Sequence, residues 1–474
     1  MRNLGIITFL FSFFLIFLTW NQSFRLDTDY DSNFSMVGRY VLGDPLSPML
    51  NPLYSVPVLI FGTEYGFRIT IALVIMFSSL TMWLLLRNLR VTPTVRMWGS
   101  LLYATAGTLV ARIAAGHIEK VLSYPLVPIF FLALLQKRGI LAGVIAAAAF
   151  LSGDVYLAWF FFVFGMAALA WRMWTLREIA LSAISFLLFS SPKLIPFLVA
   201  VQPTMERFFP IHYSDGSIHA FLAPFAFFIP FQTSFYDRPF LQRLLGFHFN
   251  WYEYFAFLSP LPLVFLFQKK IWKERIIQFL LFLFCIGALY LALAYPYSPF
   301  YWLFRFVPSL QVFRVPQRIL FPLTTVVVVL FALAADRWRR FAVPLMAGSL
   351  LWTSAIFTKT FTASFESPRV LEKQVAAELR KRDNSSFAVA NFVCCIQTFL
   401  IAEKISILNY YYGWRPKGSP NFIRADGNGF DYSPLATVQP KYIIGKSSDD
   451  FTQYGYNPFF AEGSIHVWQN QKLQ

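Results

Sequence analysis

Long apolar stretches recur along the chain, and most charged residues lie in the connections between them. Several stretches approach the ~20 residues that cross a ~30 Å hydrocarbon core as an α-helix. The pattern predicts an α-helical multi-pass membrane protein with about eleven transmembrane helices. The predicted spans are 4–20, 68–86, 97–115, 121–136, 139–151, 155–171, 179–199, 254–268, 276–295, 318–335 and 341–358. Of these, 121–136, 139–151 and 254–268 are short for a full crossing.

The composition agrees with a membrane protein. Hydrophobic residues make up 57% of the 474 residues and charged residues only 14%. These values exclude a soluble enzyme, a disordered regulator and a collagen. Three cysteines cannot form a disulfide framework, and the five histidines belong to no spaced Cys/His cluster of the kind that binds zinc.

The positive charge is concentrated on one side of the predicted membrane. When the connections are assigned alternately to the two sides, one side receives 15 basic and three acidic residues. The other side, without residues 359–474, holds 12 basic and 11 acidic residues when Lys193 inside its span and the basic residues at the span ends are counted. The positive-inside rule makes the first side cytoplasmic, so the N-terminus is cytoplasmic and the C-terminus lies outside. The net charge of +16 is then a topology signal, and we expect no nucleic-acid partner. No small-x-small cleavage site precedes Asn21, so the first apolar stretch is expected to remain as a span.

The predicted topology divides the chain into two domains. Residues 1–358 form the transmembrane domain, and residues 359–474 form a small extracytoplasmic α/β domain. A helical pattern at 370–382 and strand-like runs at 387–393, 404–408, 441–444 and 464–468 support the second assignment. The long connections of the transmembrane domain all fall on the outer side, at 21–67, 200–253 and 296–317. This distribution favours chemistry or binding at the outer face.

Three carboxylates follow the first span closely, at Asp27, Asp29 and Asp31. Their alternate spacing places them on one side of an extended segment. A carboxylate there could take a proton from an acceptor hydroxyl, or help to hold a divalent cation such as Mg²⁺ or Mn²⁺ against a phosphate leaving group. Asp27 and Asp29 are the candidate metal ligands. The alternative interpretation is a hydrated acidic loop.

Short motifs in a fixed order give the chain a resemblance to a known family. They are Gly43 to Pro52, Ala115-Gly116-His117 with Tyr124 to Pro128, Ser152-Gly153-Asp154, Trp251 to Tyr254, Phe313 to Arg318, and Pro440 to Ile444. This set resembles the YfhO-like bacterial membrane proteins of the GT-C glycosyltransferase superfamily, with Phe313 to Arg318 similar to their "F-R-x-P-x-R" motif. The chain departs from the family where Leu50 replaces a usual Trp and Asp154 a usual His.

The resemblance implies a GT-C-like fold, a polyprenyl-phosphate-linked sugar donor and a catalytic aspartate in the first outer loop, at Asp27 or Asp29. It also implies a location in the bacterial inner membrane, where the acceptor would be a glycan, a lipid or a protein.

Cationic side chains predicted at the outer surface are candidates for binding the donor phosphate. Arg314, Arg318 and Arg305 lie near the start of the tenth predicted span, and Lys193 lies inside the seventh. Arginine presents a forked set of donors that fits phosphate oxygens. The alternative is snorkelling, in which the charge only anchors a helix end at the head groups.

Further polar residues on the same side are candidates for substrate binding. They are Asp31, Arg112, His117, Glu119, Asp154 and Glu253. His117 could instead pair with Glu119, and Asp154 could instead cap the helix that follows it. A charge at the position of Asp154 is costly unless it is paired or lies in a wet cavity.

These observations favour a membrane glycosyltransferase that moves a sugar from a polyprenyl-phosphate donor to an acceptor at the outer face of the membrane. Two alternatives stay open. One is a non-catalytic membrane scaffold that keeps a GT-C fold, and the other is a lipid or glycan transporter.

Overall fold

The computed structural model describes residues 50–115, 117–203, 226–228, 255–292, 298–307, 313, 315–338, 342–363, 370–393, 400, 403, 405–408, 414–416, 422 and 430–473. Five candidate site residues lie outside these ranges: Asp27, Asp29, Asp31, Glu253 and Arg314. The first predicted span, 4–20, also lies outside them.

The described residues form two compact units. The first contains the described residues between 50 and 194 and between 226 and 363, and it is helical. Its helices are α1 (Pro52–Asn88), α2 (Pro93–Ala104), α3 (Gly107–Ala115), α4 (Ile118–Ser123), α5 (Leu126–Leu135), α6 (Gly139–Leu151), α7 (Val155–Ala170), α8 (Leu176–Ala200, whose last turns belong to the second unit), α9 (Arg275–Leu291), α10 (Pro299–Phe306), α11 (Leu320–Arg337) and α12 (Ala342–Ala363).

Four helical segments of the described chain are long and apolar enough to cross a membrane: Tyr65–Asn88, Ile118–Leu135, Leu176–Pro196 and Pro316–Arg337. They overlap four predicted spans, but the predicted count of about eleven is not confirmed. The fourth segment is central, since 94% of its apolar 18-residue stretch is buried, whereas only 17% of the corresponding stretch of Leu176–Pro196 is buried. α8 therefore lies at the periphery of the first unit, and α11 forms its core.

Two predicted spans are interrupted. The stretch 97–115 is split into α2 and α3, and residues 261–267 of the stretch 254–268 form a 3-10 helix with Pro260 and Pro262 near its start. The two interruptions meet, because Gly107 N donates to Phe257 O over 2.8 Å. A Cβ at Gly107 would lie 2.4 Å from Phe257 N, so only glycine fits this contact. Non-helical backbone is tolerated here because it is buried in protein and hydrogen-bonded.

Helices α6 and α8 approach each other through glycines. A Cβ at Gly139 would lie 2.4 Å from Glu178 O, and a Cβ at Gly143 would lie 2.2 Å from Ser182 O. Small residues of this kind let the main chains of two membrane helices touch. The pair α6–α8 is therefore closely packed at Gly139 and Gly143.

The second unit contains the described residues 195–203 and those from 370 onward. Its secondary structure consists of β1 (Val201–Pro203), α13 (Val370–Arg382), β2 (Ala388–Asn391), β3 (Ser406–Ile407), β4 (Trp414–Pro416), α14 (Leu435–Val438), β5 (Tyr442–Lys446), β6 (Tyr456–Glu462) and β7 (Ile465–Asn470). Strands β1 and β4 form an antiparallel pair, and the others form a sheet in the order β3-β2-β5-β7-β6. Strand β2 is parallel to β3 and β5, whereas β7 is antiparallel to its neighbours.

A small C-terminal sheet with a leading helix is thus confirmed. One face of the sheet buries Val375 and Leu379 of α13, and the other buries an aromatic cluster around Phe392 and Phe451. Strand β6 is missed by the sequence analysis, because it contains Pro458 and a register shift between Pro458 and Phe460. The position of this unit outside the cytoplasm stays a prediction.

Asp383 joins α13 to β5. It accepts hydrogen bonds from Tyr442 Oη over 2.9 Å and from Ser385 N over 2.9 Å, and it forms an ion pair with Lys441 Nζ at 2.7 Å. Burial alone would raise the pKa of Asp383, but the bonds from Lys441, Ser385 and Tyr442 outweigh it and hold the pKa well below its ordinary value. This carboxylate therefore stabilises the unit in its ionised form.

Candidate functional site

The turn between α6 and α7 carries a buried carboxylate. Asp154 Oδ1 accepts a hydrogen bond from Leu157 N over 3.0 Å and so caps α7, as one of the two sequence interpretations predicts. The same carboxylate forms an ion pair with Lys120, and its Oδ2 accepts a hydrogen bond from Ser123 Oγ over 2.6 Å. The residue before it, Gly153, has a φ of 91°, which favours glycine. The charge of Asp154 is therefore fully paired.

Two cations converge on the ring of Tyr156, two residues further on. Lys120 Nζ lies 4.9 Å from the ring centroid, and Arg318 Cζ lies 4.4 Å from it. Both distances are within the range of cation–π attraction. We call Lys120, Asp154, Tyr156 and Arg318 the Tyr156 site. It brings together two of the predicted site residues, Asp154 and Arg318.

The position of Lys120 is fixed by the helix that carries it. At the end of α4, Tyr124 and Tyr103 stack with ring centroids 4.2 Å apart. Each hydroxyl donates to the other residue's carbonyl oxygen, over 2.9 Å from Tyr103 and 3.0 Å from Tyr124. Because both side chains are fully buried, this reciprocal pair holds α4 against α2.

The position of Arg318 is fixed by an aromatic anchor. Arg318 lies in the 3-10 turn Pro316–Ile319, and Phe313 precedes that turn. The ring of Phe313 stacks on Trp159 of α7 at 5.1 Å, and its carbonyl oxygen accepts a hydrogen bond from Tyr290 Oη over 3.2 Å. The conformation of the "F-R-x-P-x-R" segment is thus tied to α7 and α9.

Arg112 and His117 form a second buried polar pair. Arg112 Nη1 lies 3.1 Å from His117 Nδ1. Because a guanidinium can only donate, Nδ1 carries its lone pair here and the ring proton is on Nε2. His117 also begins α4, whereas Glu119 lies half-buried in the first turn of that helix. His117 and Lys120 thus lie at the start of α4, and Arg112 reaches them from the last turn of α3.

Lys193 does not snorkel. Its side chain is buried, and Nζ donates to Phe150 O over 3.2 Å and to Leu151 O over 3.4 Å. Those carbonyls end α6, so the charge of Lys193 stabilises the negative end of that helix. Lys193 thereby supports the turn that carries Asp154.

Arg305 differs from these residues, because its side chain is exposed. Its hydrogen bond to Tyr301 Oη is 3.3 Å long, and its guanidinium lies 5.8 Å from the ring centroid of Trp302. Both partners belong to α10. This arrangement agrees with the anchoring interpretation of Arg305.

Sequence reasoning missed several members of the site. Lys120 is one of them, because a buried Asp154 needs a partner but the sequence does not single out Lys120, since Lys137 lies closer along the chain. Asn51 was missed as well. Its Nδ2 donates to Ser152 Oγ over 2.8 Å while its Oδ1 accepts from Leu53 N over 2.9 Å and caps α1. Asn51 thus joins the start of α1 to the Asp154 turn.

The buried charges of the described chain are mainly positive. Arg68, Arg112, Lys120 and Lys193 are buried cations, and Asp154 is the buried carboxylate of this part of the chain. In the described ranges no group of three or more His, Cys, Asp or Glu residues is placed to hold a metal ion. A divalent cation at Asp27 and Asp29 stays a prediction.

Comparison with known proteins identifies the fold. No protein-family model and no curated protein sequence matches the chain. Among solved structures, ArnT from Cupriavidus metallidurans bound to undecaprenyl phosphate is similar, with a TM-score of 0.50 and 12% sequence identity over 98% of this chain and 97% of that chain. The mycobacterial arabinofuranosyltransferase AftD is similar with a TM-score of 0.55 and 13% identity, over 99% of this chain and 40% of that chain.

The chain has a GT-C fold. The predicted GT-C-like architecture is therefore confirmed at the level of the fold, and with it the assignment to a multi-pass membrane protein. The narrower resemblance to YfhO-like proteins is not confirmed. At 12% and 13% identity, the likeness concerns the fold alone and transfers no residue roles.

Proposed function

We propose that this GT-C protein is a membrane glycosyltransferase that moves a sugar from a polyprenyl-phosphate donor to an acceptor at the outer face of the bacterial inner membrane. The observation that carries the proposal is the convergence of Lys120 and Arg318 on Tyr156 within a GT-C fold. The ArnT structure, which has the same fold, contains bound undecaprenyl phosphate, and AftD is named a glycosyltransferase, which supports a lipid-phosphate ligand and the reaction class.

The Tyr156 site is suited to a phosphate group. Arg318 offers a planar fork of N–H donors, and Lys120 adds a compact positive charge. Within the four residues of the site, two cations face the one carboxylate of Asp154. When the bond between sugar and phosphate breaks, negative charge grows on the leaving phosphate, and fixed cations stabilise it.

The acceptor hydroxyl also needs a base. Asp154 is unsuited to this role, since Lys120, Ser123 and Leu157 already donate to it. We therefore assign proton transfer to Asp27 or Asp29 of the first outer loop, as the sequence resemblance implies.

A transfer assay tests this proposal. The purified protein in nanodiscs would be supplied with undecaprenyl-phosphate monosaccharides and with envelope glycans as acceptors. Arg318→Ala should lower kcat/KM by about 10²-fold, because a charge-assisted contact to the leaving phosphate is lost. Arg318→Lys should recover part of the rate. Arg305→Ala is the matched control and should stay within about threefold of the wild type.

The first outer loop is tested in the same assay. Asp27→Asn, Asp29→Asn and the double variant should show which carboxylate is the base, with a loss of about 10²–10⁴-fold in kcat for the essential one. Full transfer by the double variant would reject the catalytic role of this loop. A wild-type protein that transfers no sugar but exchanges a lipid or glycan across proteoliposomes would indicate a transporter. Failure in both assays, with stable capture of a partner protein, would indicate a scaffold.

A further inference from the structure

Gln317 carries a buried amide oxygen that the described chain leaves unpaired. The residue is 7% exposed, and no described group donates a hydrogen bond to its Oε1. Buried polar atoms in folded proteins are almost always paired, because an unpaired one lowers stability. An amide kept in this state therefore needs an explanation, and one explanation is a ligand that supplies the missing bond.

The position of Gln317 points to a ligand of the Tyr156 site. Gln317 directly precedes Arg318 in the 3-10 turn Pro316–Ile319, and that turn packs against α7 and α9. Phe313, which precedes the turn, holds it in place through its contacts with Tyr290 and Trp159. The amide is thus one residue from the guanidinium to which we assign the donor phosphate.

The chemistry of the amide distinguishes between parts of that ligand. A phosphate monoanion or dianion offers mainly acceptors, and these are matched by Arg318 and Lys120. A carboxamide has one acceptor oxygen and two N–H donors, so its natural partner both donates and accepts. A sugar hydroxyl does both, and it complements the amide in either orientation of the side chain.

We propose that Gln317 binds a hydroxyl group of a sugar at the Tyr156 site and so helps to determine which sugar is accepted. This inference rests on the proposed function and extends it from the phosphate to the sugar. The hydroxyl belongs either to the sugar on the donor lipid or to the acceptor, and the two sources are separated by the experiment below.

The chain offers a matched control in Gln268. Its Oε1 is also buried and unpaired among the described residues, but it lies between two 3-10 helices, Leu261–Phe267 and Ile271–Lys273, beside the exposed Lys269 and Lys270. The predicted topology puts those lysines on the cytoplasmic side. Gln268→Met therefore removes a comparable amide from a place where no sugar is expected.

The test compares lipids with and without a sugar. Wild type, Gln317→Met and Gln268→Met in nanodiscs are titrated with undecaprenyl phosphate and with undecaprenyl-phosphate arabinofuranose, glucose or mannose. Methionine is close to glutamine in size and has no amide. We expect Gln317→Met to bind the sugar-lipid that the wild type prefers with roughly tenfold lower affinity. Its affinity for undecaprenyl phosphate should equal that of the wild type. Gln268→Met should bind both lipids as the wild type does. If Gln317→Met does not fold, Gln317→Asn replaces it and should shift affinity in the same direction.

The acceptor arm uses methyl monosaccharides in the transfer assay. Unchanged donor binding with a roughly tenfold rise in the acceptor KM of Gln317→Met would assign the hydroxyl to the acceptor and also support the inference.

Two results would overturn it while leaving the proposed function standing. One is a Gln317→Met variant that equals the wild type in lipid binding and in sugar transfer and has a raised unfolding temperature. This would show that the Gln317 amide binds no sugar and only lowers stability. The other is an equal loss of affinity for bare and sugar-linked lipid phosphate. A wild-type protein that binds none of these lipids would overturn the proposed function and the inference together.

Discussion

Asp154 shows how one buried charge organises its surroundings. The carboxylate is fully buried, and it is held by Lys120, Ser123 and the first turn of α7. Removing one member of a buried ion pair leaves the other unpaired, which costs more than the pair itself contributes. The stability of this turn therefore depends on keeping both charges or neither.

Single and double substitutions test this dependence. We expect Asp154→Asn or Lys120→Met to lower the free energy of unfolding by about 3–5 kcal/mol. The double variant Lys120→Met/Asp154→Asn should recover a large part of that loss while abolishing phosphate binding. Denaturation in mixed micelles measures the change in the free energy of unfolding. As a control, Glu274→Gln breaks the exposed pair with Arg337 and should cost less than about 1 kcal/mol.

At this scale the sequence predicts residue types better than partners. Asp154 is identified from sequence because a carboxylate between two apolar runs is costly. Its partner Lys120 lies 34 residues away, and pairing over such a distance depends on how α4 and α7 pack. Gln317 was missed for a different reason, since an uncharged amide beside two arginines gives no sequence signal.

At the scale of elements, hydropathy predicts where apolar chain lies but not whether it is one continuous helix. The stretch 97–115 is mostly apolar, and yet it breaks at Thr105-Ala106 because a second backbone segment occupies the space beside Gly107. The stretch 254–268 is apolar as well, but prolines at 260 and 262 favour the short 3-10 helix. In the second unit, helix α13 and four of the five strands of the larger sheet follow their sequence patterns.

The glycine contact gives a prediction for the membrane unit. Gly107→Ala should lower the free energy of unfolding by about 1–3 kcal/mol or more, because the new methyl group would overlap the main chain at Phe257. Gly165→Ala in α7 is the matched control. A Cβ there meets its nearest neighbours at 3.5 Å, so the change should be neutral or stabilise by up to about 1 kcal/mol. Equal effects of the two substitutions on thermal unfolding would contradict this account.

The network at Asp383 gives a prediction for the second unit. The pKa of Asp383 in the folded protein is below the ordinary value of about 3.9. The ionised carboxylate therefore stabilises the second unit fully above pH ~3.9, and this stabilisation is lost as the pH falls from ~3.9 through the folded pKa. Asp383→Asn should remove this acid dependence and lower stability at pH 7 by about 1–3 kcal/mol. Lys441→Met should make the dependence shallower. Hydrogen exchange of β5 amides between pH 2.5 and pH 7 would measure the acid dependence of stability in both variants. An unchanged acid dependence in Asp383→Asn would argue against the role of Asp383.

At the scale of the whole molecule, the orientation in the membrane is predicted by the distribution of basic residues. Lys472, in the second unit, and Lys270, beside the 3-10 helices, are both exposed. In a variant without native cysteines, Lys472→Cys should react with a membrane-impermeant maleimide on intact spheroplasts, and Lys270→Cys should react only after permeabilisation. The reverse pattern would place the second unit in the cytoplasm and exclude a transferase site on the outer face.

The close packing of α6 against α8 has a consequence for the lipid environment. Most of α8 is not covered by the described protein, so bilayer thickness acts on this helix directly. Because Gly139 and Gly143 bring the two main chains into contact and Lys193 grips the last carbonyls of α6, a change in the tilt of α8 would be passed to α6. The end of α6 leads into the capped carboxylate, so we expect the acyl-chain length of the surrounding phospholipids to change the geometry of the Tyr156 site.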